Sequence, residues 1–168
     1  VKVTPYWFKD DGSIPNNPLP LLIYSQGFEL LTNSLADGIE QQFKTHGWSF
    51  CWRNGIYSFH HYHSTSHEVL ACYSGDAKVL FGGEHGQLLS LSAGDAVLIP
   101  AGVGHFNKGG SSDFAVVGAY PTGSKCDMQY GRQSERPQAL KNIAALPIPT
   151  DPLLGTEDGL QKYWSRSP

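Results

Sequence analysis

Charge is scarce in this sequence: Asp, Glu, Lys and Arg make up 16% of 168 residues, and the formal net charge is −3. So little charge excludes a solvated, disordered chain and a long-helix or coiled-coil protein rich in Glu, Lys and Arg. No cluster of Lys or Arg occurs anywhere, so neither nucleic acid nor an anionic membrane surface has an electrostatic footing as a partner. Cysteine is sparse too. Cys51, Cys72 and Cys126 are odd in number, lie far apart and form no Cys-x-x-Cys pair. That removes a disulfide framework and a thiolate zinc site, and leaves free thiols in a reducing compartment. No stretch approaches the roughly 18 consecutive apolar residues of a membrane-spanning helix, and Val1-Lys2-Val3-Thr4-Pro5 lacks the apolar region of a signal peptide. A cytoplasmic protein is the expectation, with a removed leader left open because the chain begins at Val1 rather than Met.

Apolar residues reach 40%, and the length predicts one domain, against a working figure of about 150 residues each. A chain of this size buries a core without a metal or disulfide staple. The pattern divides it into an N-terminal arm and helix over 1–47, a barrel core over about 48–121, and an irregular tail over 122–168. In the arm, Leu21–Tyr24 reads as an edge strand, with the neighbouring prolines keeping it out of the middle of a sheet. A helix is predicted near 34–46. Asn33 or Ser34 caps it, Leu35, Ile39 and Phe43 recur every four residues, and Gly47 stops it. From Trp48 to Tyr120, short strands at Ala77–Phe81, Gln87–Leu91, Ala96–Pro100 and Phe114–Tyr120 alternate with Gly and Asp turns. That rhythm predicts an all-β sandwich, jelly roll or barrel of about eight core strands. In the tail, a short helix opens at Pro137 and carries Leu140 and Ile143.

Histidine is concentrated: His60, His61, His63 and His67 fall within eight residues, and Glu68 follows at once. If this stretch is a strand, alternate residues share a face. His61 and His63 then point inward with Tyr57 and Phe59, while His60 and Tyr62 point outward. Two imidazoles two residues apart on an inward face can hold one metal ion. Glu68, Leu70 and Cys72 share the face of the next strand, where a buried carboxylate is costly unless something pairs with it; a metal ion would be that partner. The plainer alternatives are polar residues in a metal-free barrel, or Glu68 as a general base. Tyr57, Phe59 and Cys72 either line a cavity or simply fill the barrel. His67 faces away from Glu68 and is expected to support the ligands from behind or to lie at the surface. His46 suits the end of a helix, and His85 sits in an exposed Gly-rich turn. Arg132 and Arg136 are either solvated or poised for a carboxylate ligand.

Farther on, Gly94 to His105 reads Gly-Asp-Ala-Val-Leu-Ile-Pro-Ala-Gly-Val-Gly-His. Together with Gly55-x5-His61-x-His63-x4-Glu68-x6-Gly75, the pattern Gly94-x5-Pro100-x-Gly102-x2-His105 resembles the two signature motifs of the cupin superfamily. The likeness extends to Pro15-Asn16-Asn17-Pro18, Trp52-Arg53-Asn54-Gly55, His61 through Glu68, Gly118-Ala119-Tyr120-Pro121 and Asp151-Pro152, which are similar to the YjlB-like single-domain cupins. One departure stands at Gly109, where the second motif commonly has Asn; the nearest Asn is Asn107. The resemblance implies a double-stranded β-helix (jelly-roll) barrel in which His61, His63, Glu68 and His105 bind one divalent metal.

Imidazole and carboxylate donors without thiolate suit Fe, Mn, Ni, Co, Cu or Zn and disfavour Ca and Mg. Four protein ligands would close a tetrahedral zinc site, whereas a six-coordinate Fe, Mn or Ni keeps two positions for substrate. The expectation is a metal-dependent enzyme acting on a small polar molecule, with dioxygenase, decarboxylase and isomerase chemistry all open and no catalytic residue assigned beyond the ligands. The alternative is a non-catalytic module that holds a small ligand through its metal. Many cupins are dimers, and pairing through Leu21–Tyr24 would make this chain a homodimer.

Overall fold

The computed structural model describes residues 1–30, 34–156 and 159–165. Nine strands are found among them: β1 (Lys2–Phe8), β2 (Asn17–Ser25), β3 (Trp48–Asn54), β4 (Glu68–Ser74), β5 (Asp76–Phe81), β6 (Gln87–Ser92), β7 (Ala96–Ile99), β8 (His105–Gly110) and β9 (Ala115–Pro121). All pair antiparallel. They form a six-stranded sheet in the order β1-β2-β7-β4-β9-β3 and a three-stranded sheet in the order β6-β5-β8. Two antiparallel sheets in this order make the jelly-roll sandwich that the resemblance implies.

The side-chain alternation of β4 shows why two layers form. Leu70 and Cys72 face the smaller sheet and pack with Val79, Phe81, Leu91, Val97 and Val116 in the barrel interior. Val69 and Ala71 face the other way, against Ile39, Phe43, Trp48 and Trp164. Helix α1 (Leu35–Thr45) covers that outer face. Ser34 Oγ accepts the Asp37 N–H at 3.3 Å and so caps the helix, while Asn33 lies outside the described residues. Ile39 and Phe43 are fully buried, and the chain leaves the helix through Gly47 at φ +82°, a conformation that favours glycine. No helix among the described residues is long and apolar enough to cross a membrane.

Two parts of the chain are more deeply built in than their sequences suggest. Strand β2 is interior, not an edge: it pairs with β1 on one side and β7 on the other. Its prolines escape the ladder because Pro18 and Pro20 precede the Leu22–Tyr24 segment that pairs with β7. They fall where the β1 register slips between Tyr6↔Leu21 and Phe8↔Asn17. The missing N–H groups therefore cost no ladder bonds. The tail, in turn, carries a 3-10 turn (Gln133–Glu135), helix α2 (Arg136–Ala145) and helix α3 (Leu160–Tyr163). Leu153, Leu160 and Trp164 enter the outer core, and the Trp164 indole donates to the Pro20 carbonyl at 2.7 Å. The fully buried Asp151 organises this end. It accepts from the Tyr24 hydroxyl at 2.5 Å and from the Leu153, Leu154 and Leu160 N–H groups, each at 2.8 Å. Burial and this carboxylate together drive the Tyr24 hydroxyl far above the usual tyrosine range.

Candidate metal centre

The histidine-rich stretch is not a continuous strand. Between β3 and β4 the chain pairs only at two bridges, His61 with His105 and Tyr62 with Gln129. The first is reciprocal: His105 N–H donates to His61 O at 2.9 Å and His61 N–H to His105 O at 3.3 Å. Gly102 N–H donates to His63 O at 2.7 Å, which ties the Pro100–Gly104 turn to the same segment. Gly102 has φ +91°, and a Cβ there would lie 2.4 Å from the Asn16 carbonyl oxygen, so the turn requires glycine. These backbone bonds bring side chains from two distant motifs to one place.

His61, His63, Glu68 and His105 are all buried. One ligand atom from each histidine can be chosen so that all three lie within 4.8 Å of one another. Glu68 Oε1 lies 3.3 Å from His63 Nε2 and 3.4 Å from His105 Nε2. The opposite nitrogen of each ring faces a backbone carbonyl: His61 Nδ1 to Phe59 at 2.9 Å, His63 Nδ1 to Asp127 at 2.5 Å, His105 Nδ1 to Val103 at 3.2 Å. A carbonyl can only accept, so each Nδ1 carries the proton. A neutral ring held in that tautomer directs the Nε2 lone pair to the common centre, which is how protein scaffolds prepare imidazole for a metal. The donor set fits a divalent transition metal.

The surroundings of these side chains shift their protonation in opposite directions. Burial, aided by the neighbouring His105, pushes His61 down to about 3, and burial also lowers His105 despite the adjacent Glu68 carboxylate. Burial alone would lower His63, but the facing Glu68 carboxylate more than reverses this and holds it well above the usual range. Glu68 is correspondingly pulled well below the carboxylate range: its desolvation is outweighed by His63 and by the adjacent His105.

The other singled-out residues are distributed as follows. His60 turns away from the centre and packs edge-on against Phe106 at 4.8 Å. Tyr62 also turns away, yet it is fully buried rather than outward, because Ile14 of the arm and Ala139 of α2 cover that face; its hydroxyl donates to Glu135 at 3.2 Å. Tyr57 and Phe59 are 58% and 39% exposed. With no strand to carry them inward, they stack on each other at 5.0 Å at the rim, next to Tyr130. Tyr57 borders the cavity described below, whereas Phe59 and Cys72 do not. Cys72 is sealed in the interior core, its thiol donating to Ser74 O at 3.2 Å. His67 is buried; its Nδ1 accepts the Ala101 N–H at 2.9 Å, its Nε2 faces Pro147 O at 3.3 Å, and its ring meets Trp164. It fastens the tail to the turn that delivers His105. His46 caps α1 and bonds Pro152 O through Nδ1 at 2.9 Å, and His85 is exposed in its turn. Arg136 pairs with Asp10 at 2.5 Å and Arg132 lies 4.9 Å over the Tyr130 ring. Asn107 Oδ1 accepts the Gly109 N–H at 2.9 Å, and Gly109 adopts φ +131°.

Sequence reasoning missed three supporting residues. Asp127 accepts from Ser64 N–H at 2.6 Å, Thr65 N–H at 3.1 Å, Gln129 at 2.9 Å and the Ser64 hydroxyl, so it clamps the loop that carries His63. Tyr120, on β9, borders the same cavity as Glu68, and burial and the Glu68 charge push its hydroxyl far above the usual tyrosine range. Trp52 Nε1 donates to the Tyr120 oxygen at 2.9 Å. None of the three lies in a spaced motif, although Trp52 and Tyr120 stand in the Trp52–Gly55 and Gly118–Pro121 segments that resemble the YjlB-like cupins.

Beside the four polar side chains opens a cavity of about 450 Å³, bordered by Trp52, Ile56, Tyr57, Leu70, Tyr120 and Met128. That volume falls in the range of small-molecule sites.

No family model matches the sequence. The chain is 45% identical over 164 residues to the uncharacterized protein YjlB of Bacillus subtilis (strain 168), covering 95% of this chain and 94% of that protein. Among solved structures it is similar to acireductone dioxygenase from Bacillus anthracis with cadmium ion in its active center: 14% identity, TM-score 0.43, 61% of this chain and 79% of that one. It is also similar to the coconut allergen cocosin, with 17% identity, TM-score 0.41, 48% of this chain and 23% of that one. The chain thus spans about a quarter of the cocosin chain. At such TM-scores neither likeness bears on activity.

Proposed function

The chain belongs to the YjlB-like cupins, and from that premise we propose that it is a metal-dependent enzyme acting on a small polar molecule in the cavity beside its histidines. The observation that carries this reading is the shared orientation of three imidazole rings. His61, His63 and His105 each commit Nδ1 to a backbone carbonyl and leave Nε2 for the centre that Glu68 completes. One divalent transition metal, with Fe, Mn or Ni favoured over Zn, Co or Cu, would be held by these four side chains. When bound it supplies Lewis acidity or an oxygen-activating centre. The protein's own groups do the rest. The backbone bonds fix the rings, Tyr120 borders the cavity beside Glu68, and the apolar walls of Trp52, Leu70 and Met128 limit water around the reacting molecule.

An open cavity next to the four donors favours a catalytic or ligand-binding centre over a sealed structural one. Elemental analysis of protein purified without chelator is expected to find one metal per chain, and adding metal to stripped protein should raise its melting temperature. Metal-free protein whose melting temperature does not respond to added metals would refute the proposal.

A further inference from the structure

The walls of the cavity say what charge its ligand carries. The side chains facing the centre are three imidazoles and one carboxylate. With a divalent ion they sum to a single positive charge. Among the described residues that border the cavity, Arg53 is the sole Lys or Arg. Its guanidinium is committed elsewhere: Nη2 bonds Asp37 at 2.6 Å and Glu40 at 2.8 Å, and Nε bonds Glu40 at 3.0 Å. The cause is strand parity. On β3, Trp52 pairs opposite Gly118 and faces the cavity, so the next side chain, Arg53, points to α1 on the outer face. Asn54 is likewise engaged, its Oδ1 accepting the Gly55 N–H at 2.8 Å.

The body of the cavity is apolar and firm on one side. Ile56, Leu70, Met128 and the Trp52 indole form its walls. The indole rests directly on Gly118, where a Cβ would lie 2.2 Å from its ring atoms, and it is tethered through Nε1 to Tyr120. A flat group can lie against such a wall at little cost in side-chain ordering.

We propose that the site selects a monoanion: one carboxylate head at the metal and a flat, apolar, ring-sized body against Trp52. This rests on the metal reading above. A second anionic group would be buried where nothing in the walls neutralises it, and a ligand without the body would leave the apolar walls unused.

The test uses full-length protein loaded with Co(II), whose visible absorption reports ligation. It is titrated with benzoate, with acetate, which has the head but no body, and with terephthalate, which adds a second charge to the same ring. Benzoate is expected to bind about tenfold or more tighter than either. Met128→Lys, which places a cation in the wall, should narrow or reverse the preference over terephthalate. Acetate or terephthalate binding within about threefold of benzoate to the wild-type protein would overturn the proposal. So would cobalt that binds but whose spectrum ignores benzoate. Protein that takes up no cobalt would instead overturn the metal reading, and this proposal with it.

Discussion

At the scale of single residues, the centre depends on which nitrogen of each imidazole is committed to the backbone. His61 and its neighbour His60 make the sharpest contrast, since one faces the other ligands and the other packs on Phe106. His61→Ala should therefore remove most bound metal. His60→Ala should leave metal content near wild type, as measured by elemental analysis of the two purified variants; equal losses would mean that the register is misassigned. Tyr120 offers a subtler test. Trp52 donates to its oxygen at 2.9 Å, and its hydroxyl feels the Glu68 charge. Tyr120→Phe removes a polar neighbour of a ligand without removing the ligand, and is expected to weaken metal affinity about tenfold, at the low end for such supporting contacts. Calorimetric titration of the variant measures this directly. An unchanged affinity would deny Tyr120 a positioning role.

At the scale of elements, one carboxylate, Asp127, gathers several of the bonds that hold the loop bearing His63. Burial raises Asp127, but hydrogen bonds from Ser64, Gln129 and the Ser64 and Thr65 backbone outweigh it and leave the group below the usual aspartate range. A depressed carboxylate stabilises the fold above its unfolded value of about 4. That contribution disappears as pH falls through the folded value. Asp127→Asn should cost about 1–2 kcal/mol at neutral pH. It should also flatten the loss of stability below about pH 4, which urea melts across pH would record. A variant whose acid limb parallels the wild type would place the effect elsewhere.

This loop also marks where sequence reading ran out. Helix α1 and strands β5, β6, β7 and β9 were legible within a residue or two, because local periodicity and turn residues decide them. The four centre residues were legible because their spacing recurs in a family. Parity put Tyr57 and Phe59 on the side of His61, where their rings meet it, but it presumed a strand; this segment pairs only at two bridges, so Phe59 stays at the rim and Tyr62 is buried rather than outward. Asp127 acts across a long sequence separation, and nothing local announces it.

At the scale of the whole molecule, the ends of the chain hold the barrel. Strand β2 is interior, so it has no free edge to offer a second copy; within the six-stranded sheet the outer strands are β1 and β3. The tail closes the outer core through Asp151, which takes the Tyr24 hydroxyl and three backbone N–H groups. Asp151→Ala would leave those donors buried and unpaired, costing about 3 kcal/mol or more. The readout is the midpoint of urea unfolding, and a change below about 1 kcal/mol would show that the tail docks without Asp151. The Tyr24 contact was hidden from the sequence because it joins residues 127 positions apart.

The central claim is that one metal binds where His61, His63, Glu68 and His105 meet. Calorimetric titration of chelator-stripped protein with Co(II) tests it most directly, run on the wild type and on the His61→Ala/His63→Ala/His105→Ala variant, with circular dichroism confirming that both are folded. One cobalt ion per wild-type chain and none in the folded triple variant is the predicted result. The same stoichiometry in both proteins, or no binding to the wild type, would contradict it.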